Sequence, residues 1–378
     1  MATQTPDLTN VLPPLYARWM AELLKGPLPD ESRSTCDDCA VARRPGVKAT
    51  VVEPGTPPVF EERPFNKHLK CCTVTPKLAN FLVGAALSDP TVAEVGRRSL
   101  LDRIASRKAV TPFGLWQVEA GNLEYRQRII AGFGLERDLL CPHYAVEADN
   151  CGIWKHRNGV CSTYFCRPVR GMDGATFWLG GFRPLSRTFE PALAQWAAAE
   201  VGLPEPCQAA LYDFRKHPEV APWSDLCDDA GEPNPAAYAA GWGPWAGREV
   251  EWYQACAEKV AGLSWAQVEE IGGAPVKALT RVTLAAYKAL QPKALPGRLR
   301  LNWGNFYWLD GKDAGPDRYL SYDSNDYVEL PRALSMALMQ FKEGADPAEV
   351  VARPPAQGPG LTPEIIEDLV THRILVEA

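Results

Sequence analysis

Apolar residues recur at helical spacing in several stretches of the chain, separated by text rich in proline and glycine. In P-P-L-Y-A-R-W-M-A-E-L-L-K, residues 13–25, Leu15, Trp19, Leu23 and Leu24 fall near one face behind a proline pair, which predicts an amphipathic helix. The run T-V-T-P-K-L-A-N-F-L-V-G-A-A-L from Thr73 predicts another. There Thr75 is the cap, Pro76 the first position, and Leu78, Phe81, Leu82 and Leu87 the apolar residues. Helical patterns follow at 90–107, 122–133, 190–201, 249–260 and 274–291. The last carries a broad stripe of Val276, Leu279, Val282, Ala286 and Leu290.

Strand patterns are scarcer. Leu301 to Asp310 is aromatic and strand-like and ends in the turn Gly311-Lys312-Asp313, and Tyr319 to Leu330 reads as a strand pair or an extended segment. A helix from Pro331, a shorter one around Asp346 to Val351, one from Thr362 to Val370 and a final Ile374-Leu375-Val376 follow. Between Cys39 and Cys71, Pro45, Pro54, Pro57, Pro58 and Pro64 with few periodic apolar positions predict an extended loop that needs tying down. The expected fold is mainly α with irregular cysteine-rich loops and a small α+β winged-helix-like module at the C-terminal end. Its expected parts are a cysteine-rich metal-binding region at 1–170, a mainly helical domain at 171–316 and the module at 317–378.

With 378 residues, 46% of them hydrophobic, the chain can bury a sizeable core. A net charge of -6 without a basic block lacks the footprint of a nucleic-acid binder. No apolar run approaches the roughly eighteen residues of a membrane span. The opening Met-Ala-Thr-Gln-Thr-Pro-Asp has no charged segment followed by an apolar run, so a cytoplasmic protein is expected. That compartment changes how the eleven cysteines read: reducing conditions disfavour disulfides, and clustered thiols there are ligands or reactive groups.

Eight of the eleven cysteines fall in the first 166 residues. Cys36 and Cys39 form a C-x2-C, Cys71 and Cys72 are adjacent, and Cys141, Cys151, Cys161 and Cys166 lie in one loop broken by Pro142, Gly152 and Gly159. A metal or iron-sulfur cluster needs several thiolates converging on one point, and short Cys-Cys spacings allow it without strain. These eight are the candidate ligands, for one site or two: an iron-sulfur cluster, most simply 4Fe-4S, or zinc. Around them Ile153, Trp154, Val160, Tyr164 and Phe165 would set the dielectric. Lys155, His156, Arg157, Arg167 and Arg170 would offset thiolate charge or stand as solvated loop residues. Trp154, His156 and Arg157 are the candidate cofactor contacts, and His143 or His156 is an alternative ligand. Thiols just ahead of a helix starting at Thr75 would gain from its dipole. Cys207, Cys227 and Cys256 are isolated and read as core thiols. The groups Trp242, Trp245, Trp252 and Trp303, Tyr307, Trp308 read as core, or as the lining of a ligand pocket.

The pattern C-P-H-Y, then C-G-I-W-K-H-R-N-G-V-C, then Y-F-C resembles the second half of the YkgJ-type cysteine-cluster proteins, described as zinc- or iron-chelating. The resemblance covers residues 36 to 170. It matches Cys141, Cys151 and Cys161 to family cysteines, Ile153 and Trp154 to an Ile-Tyr pair, and Arg157 to an arginine. Asn158 stands where the family has proline, and Ser162 where it has arginine. The family's compact Cys-x2-Cys-x2-Cys-Cys block would correspond to Cys36, Cys39, Cys71 and Cys72, split by a long insertion. The flagellin lysine N-methylases, one branch of this group, carry Cys-Cys-x-x-Trp, whereas here Thr73, Val74 and Thr75 follow the pair, so methylation is not implied. Residues 319–377 are similar in layout to PqqD-like peptide-recognition modules, which implies a peptide or protein partner.

Signatures for phosphate-binding loops, zincins, nucleophile elbows, dinucleotide folds and radical C-x3-C-x2-C enzymes are absent. The sequence thus points to an iron-sulfur protein with a redox or substrate-modifying role. The alternatives are a structural zinc protein acting as a binding or adaptor module, and a metal sensor or carrier.

Overall fold

The computed structural model describes residues 12–31, 39–43, 46–50, 59–120, 122–211, 225–291, 294–309, 311, 315–353 and 360–378. Among them the protein is mainly helical, and every strand pairing is antiparallel, in sheets of two or three short strands. None of the described helices is long and apolar enough to cross a membrane.

Two compact units interleave along the chain. Unit 1 comprises residues 1–30, 65–164 and 178–285; unit 2 comprises 31–64, 165–177 and 286–378. This division differs from three consecutive segments cut at 170 and 316. The reason lies in packing: the chain leaves unit 1 to build a hairpin on unit 2 and then returns.

Unit 1 is built on helix Pro14–Leu24, whose Tyr16, Trp19, Met20, Leu23 and Leu24 are buried. Tyr16 and Trp19 meet Phe189 of helix Arg183–Val201 edge-on. Helix Asn80–Ser88 packs against helix Glu249–Ala261 so closely that a Cβ on Gly84 would lie 1.8 Å from the Tyr253 carbonyl oxygen. Trp242, Trp252 and Tyr253 are core residues. Each donates its polar hydrogen to a backbone carbonyl, of Val110, Pro112 and Thr111 respectively, so their burial leaves no unmet donor. Cys207, Cys227 and Cys256 are buried, as expected of core thiols.

The helix expected from Pro76 starts four residues later. Leu78 and Ala79 instead form a strand against Gly114–Leu115, and the helix begins at Asn80 with no side-chain cap. Tertiary bonds set that start: the buried Asn80 amide donates to the Pro112 and Ala194 carbonyls while its oxygen accepts from Phe81 N–H. Cys71 and Cys72 therefore do not sit at a helix N-terminus, and a dipole effect on them falls away. The expected helix at 274–291 is the second half of Trp265–Ala289, broken at Gly273, where φ is 64°, just before Pro275.

Unit 2 centres on strand Asp317–Leu320, flanked by Tyr307–Leu309 and Val328–Leu330. A second pair joins Leu299–Leu301 to Leu375–Glu377. Leu299, Leu301, Leu334, Leu338, Phe341, Ile366, Leu369 and Leu375 form its core. Helix Pro363–Thr371 is capped by Thr362, whose hydroxyl accepts from Ile365 N–H, and helix Pro347–Ala352 by Asp346. The proline-rich segment expected to be a loop holds an antiparallel pair, Gly46–Thr50 with Val59–Arg63. Val47 packs with Leu320 and Tyr327, and Val47 N–H donates to the Ser324 carbonyl, so apolar packing within unit 2 anchors this pair. Pro45, Pro54, Pro57, Pro58 and the Lys312 and Asp313 of the expected turn lie outside the described residues. Trp303, Tyr307 and Trp308 prove exposed, at 48%, 54% and 43%, and so are not core.

Candidate metal centre

Five of the eight candidate thiols belong to unit 1 and are brought there by local backbone geometry. Cys71 and Cys72 close a turn in which Lys70 takes a positive φ of 54° and Cys72 N–H donates to the Leu69 carbonyl. Cys141 N–H donates to the Cys72 carbonyl at 2.8 Å, which seats the later loop on the thiol pair. The chain then forms a small hairpin, Tyr144–Ala145 against Asn150–Cys151, with Asp149 in the left-handed region at its turn. Lys70 Nζ meets that turn twice, at Asp149 Oδ2 (3.0 Å) and at the Asp149 carbonyl (2.6 Å), and so ties the Cys71 turn to the hairpin that carries Cys151.

Cys161 comes from the short helix Gly159–Ser162. Its cap is Asn158, whose side-chain oxygen accepts from Cys161 N–H and whose amide donates to the Lys77 carbonyl. Asn158 thus holds the Cys161 turn to the segment after Cys72. Ser162 is buried and donates to the Asn158 carbonyl. A Cβ on Gly159 would strike Ser186 Oγ at 1.9 Å, and Gly159 N–H donates to Glu190 Oε1 at 2.6 Å, so glycine lets this helix press onto helix Arg183–Val201.

Each of these residues is half-buried, and none is in a disulfide. Their thiols lie deep enough that burial governs their ionisation, and they act on one another. Burial pushes Cys141 up to about 12 and raises Cys151; Cys161 is driven well up by burial, then by Cys141 and Cys151. In the Cys71–Cys72 pair a shared hydrogen bond lowers Cys71 and raises Cys72, so Cys71 is the thiol that ionises first. The opposing charges are Arg157, which acts on Cys71, Cys151 and Cys161, Lys70 on Cys71, and Arg103 on Cys141. Arg157 is buried with its guanidinium carbon 3.4 Å from the Trp154 ring centroid, and it donates to the Trp154 and Cys161 carbonyls.

The histidines divide. His156 Nε2 is 2.9 Å from Asp89 Oδ2, so that nitrogen is engaged in a hydrogen bond with the carboxylate rather than offered as a ligand. Burial lowers its pKa; Asp89, itself held down to about 2 against burial by His156 and Thr91, offsets only part of that. His143 is buried, with Nδ1 on Ser99 Oγ at 2.8 Å, and Nε2 meets no hydrogen-bond partner among the described residues. Burial presses its pKa down to about 3, which keeps the ring neutral and able to ligate.

Cys39 and Cys166 belong to unit 2 and are half-buried; Cys36 lies outside the described residues. Among the described residues no three His, Cys, Asp or Glu side chains stand at the spacing that holds a metal ion. The cysteine spacing singles out neither Lys70 nor Arg103. Lys70 was detectable by its place beside Cys71, whereas nothing in the sequence sets Arg103 apart from the other arginines of helix Glu94–Ser106. Compared with protein-family models, curated proteins and solved structures, the chain matches none.

Proposed function

We propose that the protein is a cysteine-cluster metal protein whose centre lies in unit 1 and is an iron-sulfur cluster, with ligands drawn from Cys71, Cys72, Cys141, Cys151 and Cys161. The observation that carries this reading is that backbone and side-chain bonds seat the Cys141 loop on the Cys71–Cys72 turn, tie that turn through Lys70 to the Cys151 hairpin, and hold the Cys161 turn through Asn158 to the segment after Cys72, with Arg157 acting on Cys71, Cys151 and Cys161. Burial and mutual repulsion hold most of these thiols protonated, and a multivalent cation is what makes several neighbouring thiolates stable together. The donor set fits: four thiolates serve one 4Fe-4S cluster, and the fifth sulfur or His143 Nε2 supplies a spare donor. Such a cluster supplies one-electron transfer, or a Lewis-acid site at an iron with an open position.

Arg157 and Lys70 would screen the negative charge of the loaded site, and the stacking on Trp154 keeps the guanidinium oriented towards it. Among the described residues of 317–378, the order of two strands, three α-helices and a terminal strand supports a winged-helix reading. The exposed Trp303, Tyr307, Trp308 and Met336 support a peptide or protein partner for unit 2.

Anaerobic purification with iron, acid-labile sulfide and zinc analysis tests the proposal. Iron and sulfide in comparable amounts, with broad absorbance near about 400 nm, support it. Colourless protein with stoichiometric zinc replaces it with the structural zinc reading, and protein that takes up neither metal removes both.

A further inference from the structure

Unit 1 contains a cavity of about 330 Å³ outside the thiol cluster, lined by Thr75, Arg103, Trp116, Val118, Ala120 and Tyr125 among others. Its size lies at the small end of ligand sites, which run from about 300 to 1,000 Å³. The walls are fixed in place. Trp116 Nε1 donates to Thr111 Oγ1 at 2.8 Å, Tyr125 Oη accepts from Thr75 N–H at 2.7 Å, and Gln117 Nε2 donates to the Thr75 carbonyl at 2.8 Å. Behind them, Gly231 sits where a Cβ would be 2.9 Å from a Val118 methyl, so the 225–234 loop braces the apolar side.

The two cations of the lining are in different states. Lys108 Nζ is paired with Glu232 Oε1 at 2.6 Å. Arg103 donates from Nη2 to the Trp116 carbonyl at 2.7 Å and forms no ion pair with a carboxylate among the described residues. Burial presses its pKa down, and the groups that act against this are the Tyr253 hydroxyl and the Cys141 thiol, neither of them a carboxylate. A partly desolvated guanidinium with most of its donors unused is a standing cost that a bound anion offsets, and its planar fork fits a carboxylate with two parallel hydrogen bonds. A phosphate would call for a second uncommitted cation, and Lys108 is already neutralised.

We propose that this cavity binds a small monocarboxylate with an apolar or aromatic body, the carboxylate on Arg103 and the body between Trp116, Val118 and Tyr125. The site is complete in the protein's own side chains and stands whether or not the thiols hold a metal. The competing role for Arg103 is to balance charge at Cys141 and nothing else.

Isothermal titration of the full chain with 3-phenylpropionate and with its neutral analogue 3-phenylpropanamide separates the two. The expected result is saturable binding of the acid, with the amide weaker by about tenfold or more, as for a lost charge-assisted pair. Arg103→Gln should bring the acid down to the level of the amide. Val118→Phe, which fills the cavity from its apolar side, should abolish binding of the acid while leaving the circular dichroism spectrum and the metal content unchanged. Should Arg103→Gln fail to fold, the acid-amide comparison and Val118→Phe decide between the roles. Equal binding of acid and amide, no saturable binding of the acid, or full affinity in Arg103→Gln or in folded Val118→Phe would overturn the proposal.

Discussion

Cys141 donates its backbone N–H to the carbonyl of Cys72 at 2.8 Å, so two cysteines sixty-nine positions apart are joined through their main chains (141 − 72 = 69). This bond is independent of any side-chain substitution, so removing a sulfur should leave the turn in place and take away only the donor. Cys151→Ala and Cys161→Ala are expected to lose most of the bound metal while keeping the helical circular dichroism of the parent. Cys207→Ala, a change in a core thiol on the helix after residue 204, should leave metal content unchanged. Metal retained in both cluster variants, or lost in Cys207→Ala, would show that the ligands lie elsewhere.

Arg157 offers a second measurement because it meets the site through charge and through packing at once. Arg157→Lys keeps the charge but gives up the planar stack on Trp154 and the two carbonyl bonds; Arg157→Met keeps part of the bulk and loses the charge. Both should cost stability by about 1–3 kcal/mol from unmet carbonyls and lost contact, read by urea denaturation. Only Arg157→Met should also lower the reduction potential of a loaded cluster, because a positive charge near the centre favours the electron. Equal potentials in the two variants would confine Arg157 to packing.

Much of this arrangement was legible in the sequence where local chemistry decides it. The helices around Asp346 and from Thr362, the proline at the start of helix Pro14–Leu24 and the isolated core thiols follow from neighbours in the chain. The failures come from residues whose conformation is set at a distance. Thr75-Pro76 has the chemistry of a helix start, but the Asn80 amide, bonded to Pro112 and Ala194, determines where that helix begins. Likewise the prolines between Cys39 and Cys71 suggest a loop, while Val47 finds its partners more than 270 residues later, at Leu320 and Tyr327 (320 − 47 = 273). At the candidate site the thiols announce themselves by spacing, whereas Arg103 acquires meaning only from the cavity it lines.

In unit 2 the buried His372 lies between two carboxylates, with Nε2 3.3 Å from Asp326 Oδ1 and Nδ1 3.2 Å from Asp368 Oδ1. Burial works against its charge, yet Asp326 and Asp368 outweigh it and raise the pKa to about 9 from the usual 6.5. A raised pKa means the folded state binds the proton more tightly. The stabilisation is therefore full below about pH 6.5 and is lost as pH climbs through about 9. Urea midpoints followed across that window should fall in the parent. The fall should be smaller in Asp368→Asn, which removes the more exposed of the two carboxylates. A window of equal depth in both would place the effect on another group.

The carboxyl of Glu190 gives a pH dependence of the same sign at lower pH, and it bears on the cysteine loop. It accepts from the Tyr16 hydroxyl and from Gly159 N–H, each at 2.6 Å, and so links helix Pro14–Leu24 to the turn that carries Cys161. Burial raises its pKa from 4.5 to about 7 despite those two bonds. Between these values the folded protein keeps a proton that the unfolded chain has released, so stability falls as pH rises from about 4.5 through 7. Glu190→Gln retains an oxygen acceptor for both donors and removes the titration. It is expected to match the parent near pH 4 and to exceed it above pH 7, whereas Tyr16→Phe should cost about 1–2 kcal/mol by deleting one of the two bonds. If Glu190→Gln instead tracks the parent at every pH, the carboxyl is not the group that releases the proton, and its grip on the Cys161 turn is steric rather than electrostatic.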